Sequence, residues 1–284
     1  MNERLFALLQ YPLPHHALSR LVQKLTRLEI APLAHWIIRT FVRRYQVNMQ
    51  EAANADIQSY PSFNSFFTRA LKPGARPVVS TPAQLACPVD GAVSQAGRID
   101  GNSLFQAKGH DYTLEALLGG DAALATEFSN GSFATIYLSP RDYHRIHMPD
   151  TGRLRRTLYV PGRLFSVNSA TTRQVPGLFA RNERLICIFD TPNGAMAVIL
   201  VGALFVGSME TVWGGEASKA AAQADFSHTN ITLQRGEEMG RFNMGSTVIL
   251  LFGENAMQLD SGMCADQPVR LGQLLGTWLQ KAAG

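Results

Sequence analysis

The stretch Met244-Gly245-Ser246-Thr247-Val248-Ile249-Leu250-Leu251-Phe252 lies near the C-terminal end of this 284-residue chain. Its second half is a continuous apolar run followed by a glycine turn, which predicts a buried β-strand. A Gly-Ser bond at the mouth of a strand can form a strained turn, from which the serine hydroxyl attacks its own backbone. Taken alone, Gly-Ser-Thr is ordinary turn material. Its meaning therefore depends on the rest of the chain.

Short apolar runs of the same kind follow one another from about residue 75 onward, separated by Gly, Pro, Asn and Asp. They predict strands at residues 133–138, 185–189, 196–201, 231–233 and 248–252, and a helix at residues 114–118. Many short strands with frequent turn signals favour antiparallel pairing. The sequence therefore predicts an α+β protein whose body, residues 61–284, is a mainly antiparallel β-sandwich or a barrel-like structure.

Residues 1–60 differ from the body because helical periodicity replaces the short apolar runs. The apolar residues recur at helical spacing along one stripe, formed by Leu18, Leu21, Val22, Leu25 and Leu28. Arg20 and Lys24 lie off this stripe, and prolines divide the region into short helices. Two interpretations stay open: the apolar faces pack on the body, or they form an amphipathic surface that rests on anionic lipid. Both can hold together, since one face can pack while another meets lipid.

Composition narrows the class of protein. A hydrophobic content of 46% with 17% charged residues indicates a core-forming globular chain. The three cysteines are odd in number and lack C-x-x-C spacing, which argues against disulfides and against a cysteine metal site and favours a reducing compartment. No secretory signal and no window of about 20 apolar residues is present. The net charge of +4 is by itself compatible with nucleic acid, an anionic membrane or an acidic substrate.

The densest polar cluster in the chain is residues 139–149, Ser-Pro-Arg-Asp-Tyr-His-Arg-Ile-His-Met-Pro. His144 and His147 lie three residues apart in it, so a helical turn would place them on one face. Histidine is the side chain best suited to proton transfer near neutral pH. No further ligands stand at metal-binding spacing, and we predict no metal site. One of the two histidines can still be a hydrogen-bonded structural residue.

A second candidate is Asp90 in Cys87-Pro88-Val89-Asp90-Gly91. Asp-Gly is a frequent hairpin turn, and the alternative is a carboxylate that orients a histidine. With Ser246 and His147, Asp90 completes a possible Ser-His-Asp triad. The G-x-S-x-G elbow of α/β-hydrolases is absent around Ser246, which disfavours a conventional hydrolase. Lys108 offers an amine for a Schiff base, although a lone Lys-Gly is usually a surface turn.

Several long segments, in the same order, resemble the phosphatidylserine decarboxylase family from about Pro61 to the end of the chain. They are Phe66-Phe67-Thr68-Arg69, Cys87-Pro88-Val89-Asp90-Gly91, residues 139–147, Val206-Gly207-Ser208-Met209 and residues 235–247. One departure is visible, because the family's usual Leu-Gly-Ser-Thr is Met244-Gly245-Ser246-Thr247 here. Methionine keeps the size and apolarity of leucine, so the change casts little doubt on processing.

The resemblance implies that the chain makes its own cofactor. Ser246 would attack the Gly245 carbonyl, and β-elimination would then leave a large chain, 1–245, and a small chain, 246–284, headed by a covalent pyruvoyl group. The family uses a triad for this self-cleavage, which maps onto Asp90, His147 and Ser246. The pyruvoyl carbonyl would form a Schiff base with the substrate amine and accept the electrons left by CO2. His144 is our candidate for the proton delivered to the carbanion.

The same resemblance implies the substrate, partners and location. The substrate is expected to be phosphatidylserine in an anionic membrane and the product phosphatidylethanolamine, with a homodimer expected from the family and no nucleic acid partner. Residues 1–60 would hold the enzyme peripherally on the cytoplasmic face of the cell membrane. Two alternatives remain: a serine hydrolase that acts on lipid esters with the same Asp90, His147 and Ser246, or a non-catalytic lipid-binding β-module.

Overall fold

A computed structural model describes residues 3–107, 109–205, 208–217, 223–244 and 247–280. The helices within these ranges are short, and the three longest precede the body. They are α1 (Glu3–Gln10), α2 (His15–Thr26), α3 (Ala31–Tyr45), α4 (Phe63–Phe67), α5 (Leu114–Leu117), α6 (Ala122–Phe128), α7 (Ser169–Thr172) and α8 (Leu178–Arg181). Pro12 and Pro14 separate α1 from α2, whereas Pro32 lies in the first turn of α3, where its missing N–H costs no helical hydrogen bond.

Strands make up most of the remaining described chain. They are β1 (Gln84–Ala86), β2 (Gly91–Arg98), β3 (Ser103–Ala107), β4 (His110–Thr113), β5 (Ser132–Tyr137), β6 (Arg145–His147), β7 (Gly152–Val160), β8 (Arg184–Thr191), β9 (Gly194–Val201), β10 (Met209–Thr211), β11 (Gly215–Glu216), β12 (Gln223–Asp225), β13 (Thr232–Leu233), β14 (Glu238–Phe242), β15 (Thr247–Phe252), β16 (Met257–Leu259), β17 (Pro268–Val269) and β18 (Leu274–Trp278). Each strand predicted from an apolar run, and the helix predicted at residues 114–118, is confirmed to within about two residues.

The largest sheet is antiparallel and has β15 near its middle. Its order is β12-β7-β8-β9-β15-β5-β2-β17, with β13 beside β7. All six residues of β15 are buried, and the strand is hydrogen-bonded to β9 on one side and to β5 on the other. This burial on both faces explains why its sequence is continuously apolar rather than alternating.

The predicted α+β class and antiparallel pairing are confirmed, but the barrel-like alternative is not. Within the described ranges, the sheets are open and none closes on itself. A four-stranded sheet of order β11-β10-β14-β6 lies outside the main sheet and carries His147 on β6. Small sheets of β1, β18 and β16 and of β3 and β4 complete the body.

Helix α2 has its polar side toward the body and its apolar side toward solvent. Its buried residues are His15 and Ser19, which accept hydrogen bonds from the backbone N–H groups of Leu164 and Phe205. By contrast, Leu21 and Leu25 of the predicted stripe are 55% and 53% exposed. The interpretation in which this stripe packs on the body is therefore wrong for α2.

Helix α3 does pack on the rest of the protein. Ile38 is fully buried against an aromatic cluster that contains Phe63, Phe66 and Phe67 of α4. On the opposite side, Trp36 is 63% exposed. In the described parts of the chain, no helix combines the length and apolarity required to cross a membrane.

Candidate active site

The two histidines of the polar cluster lie on a strand rather than on a helical turn. Residues Arg145–His147 form β6, which pairs with β14, and the carbonyl of His144 accepts a hydrogen bond from Phe242 N–H. Residues three apart in an extended chain point to opposite faces. The helical turn that would have placed both imidazoles on one face is therefore wrong, and each histidine has a separate environment.

His147 is held in one tautomer by two hydrogen bonds. Its Nδ1 lies 2.7 Å from the carbonyl oxygen of Gly236, which can only accept, so Nδ1 carries the proton. Gly236 has φ +82°, a left-handed conformation that favours glycine. Nε2 is then unprotonated and accepts from the Tyr143 hydroxyl at 3.0 Å. Burial lowers the pKa of His147, partly opposed by the Gly236 hydrogen bond and by the Glu238 and Asp90 carboxylates.

Asp90 is close in the chain path to His147 but is paired with another residue. The His147 N–H donates to Pro88 O at 2.9 Å, which sets this backbone beside the segment leading to Asp90. The Asp90 carboxylate receives Arg76 Nε and Nη2 at 2.9 and 2.6 Å, and the Leu271 N–H at 2.9 Å. The structure contains no hydrogen bond between the described side chains of Asp90 and His147. The triad's orienting contact is thus absent here, and Asp90 acts on His147 only through its charge.

The position of Asp90 depends on the glycine that follows it. A Cβ at Gly91 would lie 2.4 Å from the carbonyl oxygen of Tyr137, so only glycine lets β2 approach β5 at this point. The predicted hairpin turn at Asp90-Gly91 is not formed, because Asp90 occupies a bend and Gly91 begins β2.

His144 is completely buried and has one free nitrogen. Its Nδ1–H donates to the Asp142 carbonyl at 2.8 Å, and its ring lies 4.1 Å from that of Phe67, centroid to centroid. Nε2 is buried without a hydrogen-bond partner. Burial lowers the pKa of His144 to about 3, and the positive charge of Arg69 acts in the same direction. At neutral pH, His144 therefore presents an unprotonated, unoccupied Nε2.

Gly245 and Ser246 lie outside the described residues, as does Lys108, but the residues on both sides of the Gly-Ser bond are described. Met244 contacts the aromatic cluster of α3 and α4 and lines a cavity of about 230 Å³ together with Phe67, Tyr137 and Phe205. Thr247 begins β15 and pairs with Tyr137 of β5 and with Val201 of β9. The Gly-Ser bond therefore joins two segments that meet at this cavity, beside the ring that stacks on His144.

The segment before Gly245 is anchored through Asn243, which is 3% exposed. Its Nδ2 donates to Ser208 Oγ at 2.7 Å, and its Oδ1 accepts from Asn64 at 3.2 Å. Ser208 also donates to Glu216, which forms an ion pair with Arg27 just after α2. Polar contacts thus connect the end of an N-terminal helix to the segment that contains the Gly-Ser bond.

Sequence reasoning missed several residues of this site. Tyr143 stands inside the polar cluster but carried no separate role, and Arg76 and Gly236 lie in ordinary turn sequence. Arg69 is 5% exposed, and two of its three side-chain nitrogens, Nε and Nη1, have no hydrogen-bond partner. Only the arginine of Phe-Phe-Thr-Arg and the tyrosine between Asp142 and His144 had a motif that could have identified them. Their contacts come from segments far apart in the chain.

The fold and site define an α+β enzyme whose reacting centre lies at the start of a buried central strand, next to a neutral buried histidine. The family model described as "Phosphatidylserine decarboxylase" matches residues 63–277, and a model described as "PSD" matches residues 5–46. The chain belongs to the phosphatidylserine decarboxylase family.

Curated relatives extend over nearly the whole chain. A phosphatidylserine decarboxylase proenzyme of Acidovorax ebreus (strain TPSY) is 54% identical over 279 residues, covering 97% of this chain and 98% of the relative. The proenzyme of Hahella chejuensis (strain KCTC 2396) is 53% identical over 284 residues, covering 99% and 96%. That of Pseudomonas aeruginosa (strain LESB58) is 52% identical over 280 residues, covering 96% and 97%.

Proposed function

We propose that this protein decarboxylates phosphatidylserine to phosphatidylethanolamine with a pyruvoyl group made from its own Ser246. The observation that carries the proposal is the buried, unpartnered Nε2 of His144 beside the cavity that Met244 lines. A buried polar atom without a partner is costly unless a reacting molecule uses it. The family and its relatives, which are named proenzymes, supply the reaction class.

In maturation, Ser246 is the nucleophile and His147 the base. The Ser246 hydroxyl loses its proton as its oxygen attacks the Gly245 carbonyl carbon, so that an ester replaces the peptide bond. Elimination then releases a chain ending at Gly245. The unprotonated Nε2 of His147 and its lowered pKa support the role of base. Asp90 contributes a negative charge that favours the imidazolium formed on His147.

The residues around the cavity suit a pyruvoyl group at position 246. Such a group supplies an electron sink for the carbanion left when CO2 departs. His144 Nε2 takes the proton that the substrate ammonium must lose before its nitrogen can react. The imidazolium so formed is a strong acid, because burial disfavours its charge. His144 then returns this proton to the substrate carbon after CO2 leaves.

The two chains are expected to stay together after the cut. The small chain begins one residue before β15, and β15 is hydrogen-bonded between β5 and β9 of the large chain. Trp278 Nε1 donates to the buried Asp150 at 2.6 Å, which adds a contact near the other end of the small chain. A homodimer is proposed on family membership alone.

We also propose that residues 1–60 hold the enzyme peripherally on the cytoplasmic face of an anionic membrane, with residues 61–284 forming the catalytic domain. The outward face of the N-terminal helices is apolar, with Leu5, Leu8, Leu9, Leu21, Leu25, Leu28, Ile30, Leu33 and Trp36 all more than 40% exposed. Phe205, which is 43% exposed, lies in the wall of the site cavity. A lipid substrate reaching this cavity from the membrane needs such a contact.

Intact mass and decarboxylation assays test the proposal. The full-length chain should appear as two fragments, the smaller of which lacks a free α-amine and reacts with a hydrazide, and CO2 should be released from phosphatidylserine vesicles. Ser246→Ala should remain one chain without activity. Ser261→Ala, an exposed serine in a turn, is the matched control and should behave like the parent. An active chain that stays intact and hydrolyses lipid esters would overturn the proposal in favour of the hydrolase.

A further inference from the structure

Both ring nitrogens of His147 are already occupied. Nδ1–H is used by Gly236 O, and the Nε2 lone pair accepts the Tyr143 hydroxyl at 3.0 Å. A base that has no free lone pair cannot take a proton directly. The proton from Ser246 must therefore either displace the tyrosine or pass through it.

Displacement is disfavoured by the surroundings of Tyr143, which is 5% exposed. A buried hydroxyl that loses its acceptor costs about 1–3 kcal/mol. Burial also raises the pKa of Tyr143 to about 12, so the hydroxyl keeps its proton and remains a donor. Passage through the tyrosine leaves every hydrogen-bonding group satisfied.

We propose that Tyr143 relays the proton from Ser246 to His147 during self-cleavage, an inference that rests on the maturation step proposed above. The Tyr143 O–H proton moves to His147 Nε2 while the Tyr143 oxygen takes the proton of Ser246 Oγ. The Ser246 oxygen, with its electron pair, then bonds to the Gly245 carbonyl carbon. The net result is one imidazolium and one oxyanion, with the tyrosine unchanged.

The charged groups around the relay come from three parts of the fold. Arg145 lies on β6, Glu238 and Arg241 lie on β14, and Asp90 precedes β2; each acts on the pKa of Tyr143, and all but Arg241 on that of His147. Glu238 and Arg145 form an ion pair with a 2.8 Å contact, which partly cancels their fields. None of them replaces the Tyr143 hydroxyl as a hydrogen-bond partner of Nε2.

The test follows the cleavage of newly synthesised full-length chain in a cell-free translation mixture, sampled over time on denaturing gels between pH 5 and pH 8.5. Tyr143→Phe keeps the ring and removes the hydroxyl, and it should slow cleavage by about 10²-fold, the scale of a lost proton-transfer group. The acid limb of its pH profile should also move to higher pH. The reason is that the tyrosine donor favours the neutral imidazole, a shift that a purely structural role would not produce.

Tyr60→Phe is the matched control, because Tyr60 is 8% exposed and donates one hydrogen bond, to Asn54 O, without contact to His147. It should cleave at the parent rate. Cleavage of Tyr143→Phe at or above the parent rate would overturn the relay, since the tyrosine would then only block Nε2. His147→Gln separates the two proposals: parent-like cleavage in this variant removes His147 as the base, whereas blocked cleavage beside an unaffected Tyr143→Phe removes only the relay.

A second measurement does not depend on how Tyr143→Phe folds. In the uncut Ser246→Ala precursor, the ¹⁵N chemical shifts of His147 should show a protonated Nδ1 and an unprotonated, hydrogen-bonded Nε2 at neutral pH. The opposite tautomer, or a free Nε2, would overturn the relay, because the tyrosine could not then donate to it.

Discussion

Replacing three leucines of α2 tests whether its apolar stripe faces lipid or the protein body. In the variant Leu21→Gln, Leu25→Gln and Leu28→Gln, the helix should persist, because glutamine and leucine have similar helix propensities. The three side chains are 55%, 53% and 41% exposed, so their replacement removes little packing. The melting temperature should therefore stay within about 2 °C of the parent, as for surface substitutions in general.

Membrane binding, in contrast, should fall steeply. Complete burial of a leucine side chain is worth about 1.5–3 kcal/mol, and roughly half of each of these three still faces water, which gives about 1 kcal/mol each. The sum of about 3 kcal/mol corresponds to a loss of about 100-fold in affinity for vesicles. Co-sedimentation with phosphatidylglycerol-containing vesicles at fixed salt measures it.

Leu279→Gln is the control, since this C-terminal leucine is 42% exposed and lies outside the N-terminal helices. It should change neither quantity. A triple variant that binds vesicles like the parent and melts many degrees lower would refute the reasoning. Large core truncations cost about 2–5 kcal/mol each, so a stripe that packed on the body would be recognised at once.

Three further predictions concern the body. The pKa of His144 in the folded chain, about 3, lies below its unfolded value of 6.5, so the unfolded chain takes up the extra proton as the pH falls. Stability is thus complete above pH 6.5 and should decline below it, by up to about 1.4 kcal/mol per pH unit, towards the folded pKa. In urea unfolding at pH 7.5, 6 and 5, His144→Gln should show a flatter decline, and equal slopes would contradict the assignment. Ile249→Ala in the middle of β15 should cost about 2–5 kcal/mol, and the two chains of the parent should co-migrate on a non-denaturing gel; separation there would contradict the role of β15. Arg76→Ala leaves Asp90 buried without its ion pair and should destabilise by about 3 kcal/mol, measured against Arg270→Ala, whose side chain is 62% exposed; equal melting temperatures would count against a structural Arg76–Asp90 pair.

Much of the body could be predicted from local sequence. A continuous apolar run such as residues 248–252 buries both faces of a strand, and this pattern is present before any partner is known. The same holds for residues 185–189 and 196–201, whose strands the structure confirms. The His144 to His147 segment was misassigned because its three residues of strand are too short to show a period of two.

The sequence by itself determined the strands, the amphipathic character of α2 and the set of candidate groups Asp90, His144, His147 and Ser246. Only the tertiary structure decided that Arg76 takes the Asp90 carboxylate, that Tyr143 occupies His147 Nε2, and that the leucines of α2 face outward. The physical reason is the range of the interactions. Periodicity and turn chemistry act within a few residues, whereas strand order, burial and charge pairing depend on which distant segments meet.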